Sequence, residues 1–346
     1  MSKSSVLAAV LATLGSTYAG FSSSSASNIA VYWGQNSYGA SSGSLAQQSL
    51  AYYCANTDID VIPMAFLYQI TSGEGGQPVL NFANQQNNCS TFSGTETIDC
   101  PQIGDDITTC QQTYGKTILL SVGGATYTEG GFSSSSAATS AAQELWAMFG
   151  PEQSGSSVNR PFGSAVIDGF DFDFETTVSN TVPFASELRS LMDADTSKTY
   201  YLTAAPQCPY PDVADNPMLS SSVKFDAIWV QFYNNYCGLQ SYVAGDSTQN
   251  NFDFSTWDNW AKTVSANPDV KVLLGVPADT TAAGSGYEPL STLEPIIQYC
   301  KQFSSFGGVM MWDASQAYAN SGFISGVESA LTSSSKKMIR GMTWRK

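Results

Sequence analysis

The chain has no histidine among its 346 residues. That absence removes the Ser-His-Asp triad, the Cys-His nucleophile, His-ligated zinc and the HExxH helix. Proton transfer, where it occurs, must fall to Asp, Glu, Tyr or Lys. Positive charge is scarce as well, with 14 Lys and Arg against 29 Asp and Glu. Six of those cations lie at the ends: Lys3, then Lys336, Lys337, Arg340, Arg345 and Lys346. The body between keeps eight cations against all 29 acids. Such a body repels phosphate backbones and has few cations with which to release counterions. Nucleic acid is therefore excluded as a partner, while a neutral substrate is compatible. No GxGxxG follows the first apolar run and no CxxC occurs anywhere, so the usual dinucleotide and zinc spacings are missing. What the chain does have is 42% hydrophobic residues and only 12% charged ones, enough for a sizeable core and unlike a disordered protein.

Residues 1–19 read as a secretory signal peptide. Lys3 supplies the positive start, 6–14 (VLAAVLATL) the apolar stretch, and Thr17-Tyr18-Ala19 a small-x-small cleavage site. The apolar stretch is too short to span a bilayer, and no later one is long enough, so no membrane partner is expected. A Ser-rich linker over 20–27, a single domain over 28–331 and a disordered basic tail over 332–346 complete the expected organisation. Seven cysteines suit an oxidising compartment, where six make three bridges whose pairing the spacing leaves open. Cys300 reads as the odd one, because it shares a helical stripe with Leu293, Ile296, Ile297 and Phe303. One glycosylation sequon, Asn88-Cys89-Ser90, sits beside a cysteine whose bridge could block it.

Eight short apolar runs recur, at 29–33, 59–66, 117–122, 166–174, 199–204, 227–232, 271–276 and 308–312. They are continuously apolar, as strands covered on both faces are. Helical patterns such as 137–149 and 293–303 fall between them. Alternation of this kind predicts an α/β fold with a parallel sheet, and eight units predict a single (β/α)8 TIM barrel. Polar and aromatic residues gather where the runs stop, as in YWGQN at 32–36, SVGG at 121–124, QFYNN at 231–235 and MMW at 310–312. A barrel's active site lies at those strand ends.

The most informative segment is Asp168-Gly-Phe-Asp171-Phe-Asp173-Phe-Glu175. Residues two apart on a strand share a face, so Asp171, Asp173 and Glu175 point one way at steps of about 7 Å while Phe170, Phe172 and Phe174 point the other. Three stacked carboxylates repel, so at least one holds a proton near neutrality. A protonated carboxyl at the mouth of a pocket is what a leaving-group oxygen needs. Asp168 has the opposite parity and reads as structural. Acidic clusters also bind Ca²⁺ or Mg²⁺ or simply face water. Metal loops, however, place ligands on Asn- and Gly-rich turns, and a solvated face needs no phenylalanines behind it. Neither a metal nor another cofactor is expected.

DGFDFDFE matches the DxxDxDxE signature of family 18 glycoside hydrolases, and SVGG resembles their SxGG signature. With IAVYWGQN at 29–36, AAPQCPYPD at 204–212, WVQFYNN at 229–235, AAGSGY at 282–287 and GGVMMWD at 307–313, the body from about 28 to 330 resembles the class III, hevamine-like chitinases of plants and fungi. The resemblance implies retaining endo-hydrolysis of β-1,4 bonds between N-acetylglucosamine units, with the substrate's own acetamido group as nucleophile. On that template Glu175 is the general acid/base, Asp173 orients the acetamido group, Asp171 shares a proton with Asp173, and Tyr233 donates to the acetamido oxygen. Trp312 would be the floor under the sugar, with Tyr32, Phe66, Gln231 and Met310 lining the same pocket. The resemblance further implies bridges Cys54–Cys110, Cys89–Cys100 and Cys208–Cys237, leaving Cys300 free, and cis peptides after Ala65, Glu175 and Trp312. Chitin or chitooligosaccharides are the expected partners of a monomer that is extracellular or in the cell wall. Two alternatives stay open: a barrel that binds sugar or inhibits other enzymes without cleaving, and an endo-β-N-acetylglucosaminidase acting on N-glycans.

Overall fold

The computed structural model describes residues 20–333, so the expected leader and the tail beyond 333 lie outside the described residues. Eight strands form the core: Asn28–Val31, Val61–Gln69, Thr117–Gly123, Gly169–Asp173, Tyr201–Ala204, Ala227–Gln231, Lys271–Pro277 and Phe306–Trp312. Each pairs in parallel with the next. The first pairs with the second at Ala30↔Val61 and with the eighth at Asn28↔Gly308, which closes the barrel. All eight fall on the apolar runs read from the sequence. Nearly every residue in them is buried, as a strand with barrel interior on one face and helices on the other requires.

The helix Ser135–Phe149 shows how the outer ring is specified. Ser134 caps it by accepting from the Ala137 N–H at 3.1 Å. Ala138, Ala141, Ala142, Leu145 and Phe149 recur at helical spacing and are buried against the sheet. Leu290–Cys300 likewise presents Leu293, Ile296, Ile297 and Cys300 inward. It stops at Cys300, and Phe303, read as part of the same helix, packs just beyond it on Phe254. Three two-residue strands escaped the sequence reading: Val79–Leu80, antiparallel to the end of the second barrel strand, and the hairpin of Ser90–Thr91 with Ile98–Asp99. Two residues are too few to carry a period.

The bridges are Cys54–Cys110, Cys89–Cys100 and Cys208–Cys237, with Cys300 a free, buried thiol. Residues 20–27 lie against the foot of the barrel. There the Phe21 N–H donates to Thr117 Oγ1 at 2.9 Å, and the Phe21 ring meets Tyr201 edge-on at 5.1 Å. No helix among the described residues is long and apolar enough to cross a membrane.

Candidate active site

The fourth strand, Gly169–Asp173, divides its side chains as the alternation requires. Phe172 packs outward on Phe184 of the helix Thr181–Ala194, at 5.6 Å between ring centroids, and Phe174 packs on Tyr127 at 5.2 Å. Asp171 points inward and is fully buried. Register supplies its partners, because Ser121 on the third strand and Thr203 on the fifth stand directly opposite it. Ser121 Oγ donates to Oδ2 at 2.6 Å and Thr203 Oγ1 to Oδ1 at 2.7 Å. The Tyr32 hydroxyl, from the first strand's end, donates to Oδ2 at 2.6 Å and is itself held by Trp229 Nε1 at 2.9 Å. Burial raises the Asp171 carboxyl, and these donors offset only part of the rise.

Asp173 sits one step toward the open end, buried, with a single donor: Gln231 Nε2 at 2.8 Å, which also reaches the Ala205 carbonyl at 2.9 Å. Burial, then the charges of Glu175 and Asp171, hold the Asp173 carboxyl well above the usual carboxylate range. Glu175 lies two residues past the strand and opens onto the cleft. Partial desolvation by the cleft walls raises its carboxyl too. None of the described ion pairs involves Asp171, Asp173 or Glu175. Asp173 and Glu175 therefore share a neighbourhood that favours protons over charge. The buried Asp171 carboxyl is held by three hydroxyls.

The SVGG segment has a steric reason. Gly123 is left-handed at φ 117°, and a Cβ there would lie 2.5 Å from the Asp173 carbonyl oxygen. The Gly124 N–H donates to that same oxygen at 2.7 Å, and a Cβ on Gly124 would strike the Phe66 ring at 2.7 Å. The two glycines let the third strand close against both the acidic strand and the aromatic wall.

The cleft above holds about 440 Å³. Asp173, Glu175, Gln231, Tyr233, Phe66 and Trp312 all line it. Trp312 and Phe66 stack at 5.8 Å with 17° between their planes, making an apolar wall opposite the acids. Burial and the nearby acids raise the Tyr233 hydroxyl far above its ordinary range, so it stays a donor. Tyr32 and Met310, expected among the lining residues, do not reach the surface. Both are buried beneath it, Tyr32 serving Asp171 and Met310 packing in the barrel interior. Gln35, Thr126, Gln207, Asn234 and Asn235 also line the cleft and were not singled out from the sequence. Gln35, Asn234 and Asn235 lay in polar strand ends already noted, whereas Thr126 and Gln207 come from loops that carry no period. Cis peptides occur at Ala65–Phe66 and Trp312–Asp313 as expected. The one expected after Glu175 does not, and Tyr210–Pro211 is cis instead.

Among the described residues, the one group of three metal-type donors close enough to share an ion is Cys208, Cys237 and Asp253, whose sulfurs are joined in a disulfide. Around Asp171 the neighbours are hydroxyl donors, which suit an anion rather than a cation's ligand shell.

The profile of glycosyl hydrolases family 18 matches residues 28–286. The chain belongs to that family. A class III chitinase of Arthroderma benhamiae is 53% identical over 333 residues, 96% of this chain and 94% of the relative. Endochitinase 33 of Trichoderma harzianum is 52% identical over 326 residues, 94% of this chain and 98% of the relative. Among solved structures, a xylanase and alpha-amylase inhibitor protein from Scadoxus multiflorus superposes with a TM-score of 0.69 at 32% identity, covering 87% of this chain and 97% of that one. The same barrel architecture is thus shared with a protein named as an inhibitor, and the side chains of the site must separate hydrolysis from inhibition.

Proposed function

We propose that the protein is a secreted endochitinase that cleaves β-1,4 bonds between N-acetylglucosamine units with retention of configuration. The observation that carries this reading is Glu175 opening onto the cleft above Asp173, with no cation paired to either. A carboxyl so placed keeps its proton at moderate pH and can deliver it to a glycosidic oxygen. An inhibitor or lectin needs the walls but not this acid. The close relatives named as chitinases favour the same reading.

The nucleophile comes from the substrate. Asp171 is sealed under the floor by three hydroxyls and cannot reach a sugar. The acetamido carbonyl oxygen of the sugar over Trp312 attacks its own anomeric carbon as Glu175 protonates the departing oxygen, giving an oxazolinium ion and a free alcohol. Tyr233 holds the acetamido oxygen in line. Asp173 accepts the acetamido N–H on its unprotonated oxygen and stabilises the positive charge of the ion as it grows. Glu175, now a carboxylate, takes a proton from the water that attacks the anomeric carbon, and the ring opens to the retained product. Two inversions at one carbon give retention. Asp171, held below by its three hydroxyl donors, biases the proton on Asp173 through the cycle.

Secretion rests on the leader-like start and on three disulfides, which persist in oxidising compartments. The experiment is hydrolysis of chitin hexamer by the wild-type protein and by Glu175→Gln, with binding of the oligosaccharide measured in parallel. Turnover in the wild type, together with binding without turnover in the variant, is the expected result. Undiminished turnover in the variant would remove Glu175 from its role.

A further inference from the structure

Exposed apolar side chains are not spread evenly over the described surface. Of the seven large ones, Tyr210, Val213 and Tyr236 lie on just two loops, those that follow the fifth and sixth strands beside the cleft. Val213 is 74% exposed, Tyr236 67% and Tyr210 36%. A single exposed apolar residue needs no explanation, but a set held together at the edge of a cleft does.

These loops are braced. Cys208–Cys237 joins them with Cα atoms 5.9 Å apart, and Asn235 Nδ2 donates to Gln207 Oε1 at 3.1 Å just inside the bridge. Asp212 pins the first loop by accepting from the N–H groups of Gln207, Ala214 and Asp215 at 3.2, 2.9 and 2.6 Å. Tyr210 leans edge-on against Trp257 at 5.1 Å, and Trp257 Nε1 is fixed to the Cys208 carbonyl at 2.9 Å. Val213 and Tyr236 therefore stand out from stiff backbone, and little entropy is lost when a partner covers them.

The ledge is continuous with the cleft. Gln207 and Asn235 line the cleft, and Tyr236, the next residue along the chain, is exposed. The geometry points to a second substrate contact: Tyr236, Val213 and Tyr210 form a ledge that docks the protein onto the surface of insoluble chitin, beside the chain being cleaved. This deepens the chitinase reading and rests on it. The occupant follows from chemistry. A polymer of N-acetylglucosamine is neutral, so the protein's acidic excess does not repel it, and its ring faces are apolar plates that stack on tyrosine. The ledge serves an extended solid surface, whereas the cleft serves one chain.

The test uses Tyr236→Ala combined with Val213→Ser, and Tyr236→Phe as the conservative control. Each is made in the full chain and again in a Glu175→Gln background, so that chitin is not consumed while binding is read. Depletion of protein from solution over insoluble chitin gives partition, and hydrolysis of chitotetraose gives the cleft's own competence. The double variant is expected to lose at least fivefold in partition and in release of sugar from insoluble chitin, with kcat/KM on chitotetraose within twofold of wild type. Tyr236→Phe should behave as wild type. Unchanged partition in the double variant overturns the ledge, as does an equal loss on chitotetraose. So does a concentration-dependent dimer, seen by sedimentation and abolished by the double variant, with partition unaltered, because the ledge would then bind a second copy. If wild-type protein fails to cleave chitotetraose and chitin hexamer, the chitinase reading fails instead, a result separate from the partition measurements.

Discussion

The fourth strand and its approach treat acids in two opposite ways. At its foot, Asp168 is paired: Lys198 Nζ reaches Oδ1 at 2.8 Å, while Gln111 Nε2 and the Ile118 N–H reach Oδ2 at 2.8 Å each. At its head, Asp173 has one amide donor and Glu175 has no ion pair among those described. The protein's few cations are spent elsewhere: Arg189 on Asp193 and Asp226, Lys262 on Asp258, Lys198 on Asp168. An acid paired to a cation fastens structure. An acid left among other acids keeps its proton and can give it away. The same residue type does two jobs because of what stands beside it.

That contrast can be broken at either end, and the largest effect should come from the head. Glu175→Gln removes the transferable proton while keeping shape and hydrogen bonds. We expect kcat on chitin hexamer to fall by about 10²–10⁴-fold, the range general acid catalysis supplies, with oligosaccharide affinity retained by titration. Asp171→Asn should come next. It leaves the fold's hydroxyl ring with a neutral centre, so activity should drop strongly while the melting temperature moves little. Asp171→Ala should differ by also destabilising the protein, since Tyr32, Ser121 and Thr203 would lose their shared acceptor.

At the foot the pattern should invert. Asp168→Asn strips the Lys198 pair and weakens the hold on Ile118, and denaturant unfolding should show a loss of about 1–3 kcal/mol. Its kcat/KM, measured well below the melting temperature, should match wild type within a few-fold. A large catalytic loss with unchanged stability would contradict the division of labour.

pH sharpens the same comparison. Burial raises Asp60 to about 6 and Asp253 to about 7, and raises Asp173 and Glu175 as well. A carboxyl raised in the folded state binds its proton more tightly there than in the unfolded chain. Stability therefore falls as pH rises between about 4, where unfolded carboxyls titrate, and about 7, where Asp253 ionises. Melting curves over that range should decline steadily with pH, and Asp253→Asn should flatten the decline near its upper end. Activity should fall over the alkaline side for the separate reason that Glu175 loses its proton. The smallest effect concerns metals: prolonged chelation should leave hydrolysis unchanged, and a loss restored by Ca²⁺ would revive a metal role for the acids.

Much of this was legible in the sequence because the signals are local. Continuous apolar runs marked the eight strands, and alternation alone put Asp171, Asp173 and Glu175 opposite three phenylalanines. Parity, however, gives the side of a strand and not the depth in the barrel. Tyr32 and Met310 were therefore placed on the cleft surface, although they lie under it. Nor does one strand reveal its neighbours' register, which is what brings Ser121 and Thr203 to Asp171. Gln207 and Thr126 reach the cleft from loops fixed by a bridge and by neighbouring strands, and neither fixture leaves a periodic trace.

The most direct test of the central claim is the anomeric form of the first products released from chitin hexamer, followed by proton NMR before mutarotation. Internal cleavage that releases the β-anomer at the new reducing end is the predicted result. An initial α-anomer would contradict the account, because it would require water rather than the substrate's acetamido group to attack first.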